Sequence, residues 1–126
     1  MAATLLALWL AATQAADPVP LEVYDAKRLA ARDEATVTGP ARQTMLTAQR
    51  QLLDAGVTAC ALGQPQHDFS PFTIVMQLDA DGRVQQTWRE GSSPLAICLQ
   101  RYVRDKLLFV PPRAPFHAAL EISFTK

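Results

Sequence analysis

The clearest order in the chain begins at Phe72. Phe72, Ile74, Met76 and Leu78 alternate with Thr73, Val75, Gln77 and Asp79, and a period of two predicts a strand with one apolar face. Asp79-Ala80-Asp81-Gly82 follows, a tight-turn sequence in which Gly82 takes the position that needs a positive φ. The return segment puts Val84, Gln86 and Trp88 on one face and Arg83, Gln85, Thr87 and Arg89 on the other, so parity assigns Trp88 to the core beside Val84. Ala118, Leu120, Ile122 and Phe124 alternate with Ala119, Glu121, Ser123 and Thr125 as a third strand. Three strands of this kind predict an open antiparallel sheet with one face wet, the most apolar strand lying in the centre.

A cover for the apolar face is written between the second and third strands. Ser93 is a natural N-cap, Pro94 suits the first helical position, and Leu95, Cys98, Leu99, Tyr102 and Val103 recur at three and four. Arg101, Arg104 and Lys106 fall toward the C-terminal end, where the helix dipole favours positive charge, and Pro111-Pro112 forbids continuation. A second helix is predicted over 41–55: Pro40 opens it, Met45, Ala48, Leu52 and Ala55 form one stripe, and Gly56 follows as a C-terminal cap with Val57 folding back. Residues 58–71 read as a loop. Upstream, Asp17-Pro18-Val19-Pro20 is extended, and a helix begins at Asp25 before 36–40 breaks it. The fold class is therefore α+β: a three-stranded antiparallel sheet, strand-strand-helix-strand, with one face covered by two helices.

The chain has 126 residues, with 12 Lys and Arg against 12 Asp and Glu. A zero formal charge gives no reason to bind nucleic acid, and the length suits one domain. Hydrophobic content is concentrated at the start. Residues 1–15, MAATLLALWLAATQA, carry no charge and end in a small-residue Thr-Gln-Ala pattern, as in a secretory signal peptide lacking a basic n-region. The apolar run is shorter than the roughly 20 residues that span a bilayer, so no permanent membrane anchor is expected. The organisation is a leader over 1–15, an extended and helical segment over 16–39, and one domain over 40–126, located in the periplasm.

Export changes what Cys60 and Cys98 mean. In an oxidising compartment they read as a disulfide, with two buried free thiols as the alternative. Closing the loop between them stabilises by about 4 kcal/mol in the chain-entropy account, and the bond joins the two helices as one layer.

The ordered set Leu78-Asp79-Ala80-Asp81-Gly82-Arg83-Val84, Ser92-Ser93-Pro94, Phe109-Val110-Pro111-Pro112 and Ile122-Ser123-Phe124 resembles the C-terminal domain of TonB-like and related periplasmic proteins, TolA-like and myxobacterial motility-type variants included. The resemblance spans residues 72–124. It implies a binding module that docks a periplasmic or envelope protein or peptide at a sheet edge, where unpaired backbone groups accept an added strand. The third strand (Ala118, Leu120, Ile122, Phe124) or the second, residues 83–90, is the expected edge. The membrane helix and long Pro-rich spacer of energy transducers are not seen, so force transmission is not expected.

Enzymatic chemistry finds little to stand on, and no catalytic residue, metal ligand or cofactor is assigned. Cys60, His67 and Asp68 are the one compact thiol set, which makes a Cys/His hydrolase the weaker alternative; a disulfide removes its nucleophile. His67-Asp68 reads as solvated loop and His117 as a satisfied edge residue. Asp79 and Asp81 fit turn chemistry better than calcium, since the further oxygen ligands of an EF-hand loop are missing. A periplasmic inhibitor or immunity protein, with residues 64–71 as an inserted plug, is the other alternative. Arg83, Gln85 and Arg89 form a recognition surface or simply the wet face of the sheet.

Overall fold

The computed structural model describes residues 21–62 and 68–123. The elements run α1 (Val23–Ala35), α2 (Gly39–Ala61), β1 (Phe72–Leu78), β2 (Val84–Glu90), α3 (Pro94–Val103) and β3 (Phe116–Ile122). The strands form one antiparallel sheet in the order β2-β1-β3, so the most apolar strand is central, as its pattern predicts. The expected leader, residues 1–15, lies outside the described residues, as do Phe124 and residues 64–67, His67 included, of the 64–71 loop read as an inserted plug.

One sheet face carries Phe72, Ile74, Met76, Leu78, Val84, Phe116, Ala118, Leu120 and Ile122. Leu95, Ala96, Leu99 and Val103 of α3 and Met45 of α2 close over it. Local chemistry starts α3 as expected: the Ser93 side chain accepts from the Ala96 N–H at 3.1 Å, with Pro94 in the first turn. α2 packs chiefly on α3, and Cys60 is bonded to Cys98 with their Cα atoms 5.9 Å apart. The two helices are thus one covalently joined layer.

Gly56 is where this layer departs from expectation. The helix does not end there but continues to Ala61, carrying Cys60 in its last turns. A Cβ at position 56 would come within 2.4 Å of Leu99 Cδ1 and 2.9 Å of Tyr102 Cδ1. The glycine therefore permits close approach of α2 to α3, and Ala55, expected on the buried stripe, is exposed.

The other face is not wet. Val75, Trp88 and Ala119 lie there beneath Ala26, Ala30 and Val23 of α1. Alanines spaced four apart, one turn of helix, let α1 sit close to the sheet, and Trp88 Nε1 donates to the Leu21 carbonyl at 2.8 Å. Tyr24 on the same helix is exposed. Hence β1 is buried on both sides.

Trp88 belongs to the core, but on the face opposite Val84. The register pairs Gln77 with Gln86 and Leu78 with Val84, leaving Gln85 as the extra residue of a β-bulge. One inserted residue reverses parity, so Val84 joins Leu78 whereas Trp88 joins Val75. Asp79 supports the irregularity: one carboxylate oxygen accepts from the Asp81 and Arg83 N–H groups and the other from Gln85 Nε2, each at 2.9 Å. Gly82 has φ +88°, and a Cβ there would fall 2.1 Å from the Phe109 carbonyl oxygen, so turn geometry and packing both demand glycine. Phe109 in turn meets Phe116 edge-on at 5.4 Å.

Candidate functional site: two unequal sheet edges

A three-stranded sheet has two outer edges, and the chain treats them differently. Along β3, the His117 N–H donates to Asp33 Oδ2 at 2.9 Å and the Ala119 N–H to Glu34 Oε2 at 3.0 Å. The Ala119 carbonyl accepts from Gln49 Nε2 at 3.1 Å, and Gln49 also donates to Glu34 Oε1. Three side chains from α1 and α2 thus stand where the backbone of a fourth strand would run. Ala118, Leu120 and Ile122, named as edge candidates, point their side chains into the core, and their backbone groups face β1 by the alternation of an antiparallel ladder.

Asp33 organises this cap. It is 1% exposed and also accepts from Arg113 Nη2 at 2.8 Å and Arg32 Nη2 at 3.2 Å. Burial by itself pushes the Asp33 carboxyl up, but the hydrogen bonds from the His117 N–H, Arg113, Arg32 and the His117 ring outweigh it and hold the group below its usual range. His117 Nδ1 lies 3.4 Å from Asp33 Oδ2. Nε2 is buried without a hydrogen-bond partner among the described residues, and the ring lies 5.6 Å from that of Trp88.

The β2 edge is different. Since His117 and Ala119 turn outward on β3, ladder alternation turns Thr87 and Arg89 outward on β2. The first part of this edge is occupied by the chain itself: the Val84 N–H donates to the Lys106 carbonyl at 2.9 Å and the Leu108 N–H to the Gly82 carbonyl at 2.8 Å. Beyond it, the backbone groups of Thr87 and Arg89 meet no partner among the described residues. Their side chains are held on the α3 side, where Gln100 Nε2 donates to Thr87 Oγ1 and Arg89 Nη1 to Gln100 Oε1. Arg83 Nη1 donates to the Asp105 carbonyl at 2.7 Å. A depression of about 280 Å³, lined by residues 84–87 with Arg104 and Asp105, opens beside this stretch.

Of the thiol set, Cys60 is bonded to Cys98 and carries no thiolate, while Asp68 accepts from the Ser70 N–H and hydroxyl in a local turn. Among the described residues no group of three or more His, Cys, Asp or Glu side chains is arranged to hold a metal ion, and no helix is long and apolar enough to cross a membrane. The capping set Asp33, Glu34 and Gln49 had no sequence signal: Asp33 and Glu34 lie in a stretch that mixes charged with apolar residues ahead of the break at 36–40. The chain matches no family model, no curated protein and no solved structure.

Proposed function

We propose that this chain is an exported, non-enzymatic binding module that takes an extended segment of a periplasmic or envelope protein as a fourth strand on β2. The observation that carries this reading is the asymmetry of the edges: Thr87 and Arg89 present backbone groups without partners among the described residues, whereas on β3 the His117 N–H and both backbone groups of Ala119 are taken by Asp33, Glu34 and Gln49. An unprotected edge is otherwise a liability for aggregation, and strand addition is a common way to use one. The TonB-like motifs of residues 72–124 and the Cys60–Cys98 bond support the same reading, the latter because disulfides persist in oxidising compartments.

The test is capture from an envelope extract by the immobilised chain and by Thr87→Pro, which removes one outward N–H at an edge position where proline is tolerated. A partner held by the native chain and lost by Thr87→Pro is the expected result. Equal recovery by both would eliminate the β2 edge, and no specific recovery at any salt concentration would eliminate the binding function.

A further inference from the structure

We infer that a cavity of about 680 Å³ beside α2 is a binding site for a small, neutral, largely apolar molecule: a short aliphatic chain with an uncharged polar head. This goes beyond the edge reading and does not depend on it, since the cavity shares no lining residue with β2.

The cavity exists because α2 is held tightly at one end and faces a loop at the other. Near its C-terminus, Gly56 admits Leu99 and Tyr102, and Cys60 is bonded to Cys98, so α2 lies hard against α3. Near its N-terminus, the face turned to the loop 108–112 carries only Ala41, Thr44 and Ala48, spaced three and four apart on one side of the helix. Small side chains on that wall leave space in front of Leu108, Phe109 and Val110. Val110 is 74% exposed, a large apolar side chain left in water.

The other walls are braced without a ligand. The Leu108 N–H donates to the Gly82 carbonyl at 2.8 Å, and Phe109 rests edge-on against Phe116 at 5.4 Å. The Thr36 and Val37 N–H groups donate to the Asp33 and Glu34 carbonyls, each at 3.1 Å. Small-molecule sites are usually preformed in this way and measure about 300–1,000 Å³.

The lining selects against ions. The chain has 12 basic and 12 acidic residues, yet none of the described residues lining the cavity is charged. The arginines bonded to the lining are committed, Arg113 to the Asp33 carboxylate and Thr36, Arg42 to the Glu34 and Val37 carbonyls. An ionic head would therefore lose its water without gaining a partner. The Thr36 and Thr44 hydroxyls donate to the Asp33 and Pro40 carbonyls, but Thr38 Oγ1 meets no partner among the described residues and is free to bond a hydroxyl. The face from Ala41 to Ala48 is about 10 Å long at about 1.5 Å per residue, which suits a short alkyl chain.

Two segments of the chain itself are too far away to fill the space. Residues 63–67 are tethered beyond the far end of α2, about 20 Å from Ala48. Residues 124–126 follow the end of β3 opposite Phe116, about 20 Å along the strand, and three residues extend about 10 Å.

The probe is octanol, titrated into the full chain and followed by the amide shifts of Val37, Ala48 and Val110. Octanoate and octylammonium, alike except in the head group, are run beside it. Octanol should bind saturably and at least tenfold tighter than either ion. Ala48→Phe, which fills the space from α2, should weaken octanol at least tenfold while keeping a native circular dichroism spectrum. Val110→Asp, at an exposed position where folding is not at stake, should weaken it at least threefold. Thr87→Pro should bind octanol as the native chain does. Equal affinity for the three probes, no saturable shift within the solubility of octanol, or binding untouched by both cavity variants overturns the inference. So does loss of binding in Thr87→Pro, which would move octanol to the β2 edge, or a dimer in sedimentation that Val110→Asp dissolves, which would make a second copy the occupant.

Discussion

Replacing Asp33 tests the side-chain cap of the β3 edge directly. Asp33→Ala removes a carboxylate that is 1% exposed and accepts from the His117 N–H at 2.9 Å. The arginines that also bond it, Arg32 and Arg113, have side chains 67% and 46% exposed, so water can replace the lost partner and each contributes at most about 1 kcal/mol. The His117 N–H is buried, and leaving such a donor unsatisfied costs about 1–3 kcal/mol. Asp33→Ala should therefore lower stability by about 3 kcal/mol. Asp33→Asn keeps an acceptor for the N–H and should cost only about 1 kcal/mol. Urea unfolding at neutral pH measures both, and hydrogen exchange at the His117 and Ala119 amides shows whether the edge itself has opened. A loss below about 0.5 kcal/mol for Asp33→Ala, the scatter of ordinary surface changes, or unchanged protection at His117, would refute the cap.

Because Asp33 is held below its usual range, the unfolded chain binds its proton first. The stability it supplies is complete above an unfolded pKa of about 4 and is lost as pH falls through the folded value. The stability gap between native protein and Asp33→Ala should accordingly shrink in acid, and a gap constant from pH 6 to pH 2 would contradict this. Gly56→Ala should destabilise, by up to about 2 kcal/mol: helix propensity gains about 1 kcal/mol, but the new Cβ meets buried Leu99 at 2.4 Å, an overpacking cost of about 1–3 kcal/mol that the nearby disulfide prevents α2 from relieving. A rise in Tm would show that the helices can separate. Cys60→Ala with Cys98→Ala should cost about 4 kcal/mol, from the loop-closure entropy of a 38-residue separation; a Tm unaffected by reductant would remove the bond from the stability account.

Much of the local structure was legible in residue order. The alternation from Phe72, the Asp79–Gly82 turn and the Ser93-Pro94 start of α3 all appear as read, because each is decided by side chains within a few positions. The disulfide was legible once export was inferred, although Cys60 proved helical and not part of a loop. The candidate site was legible only as a choice between two edges. Ala118, Leu120 and Ile122 mark the strand whose edge is filled at His117 and Ala119, and the open groups lie at Thr87 and Arg89.

By itself, the sequence determined the strands, the turn, the Ser93 cap of α3 and the α+β class, since periodicity and capping are properties of neighbouring residues. Tertiary structure alone decided which face takes Trp88, what covers the second face and which edge stays free. A single bulged residue, Gln85, reverses strand parity without disturbing the apolar pattern that strands are read from. The hydrogen bonds that cap β3 at His117 and Ala119 join residues 70 to 85 positions apart, so the acidic end of α1 becomes, once α1 docks, the substitute for a missing strand there.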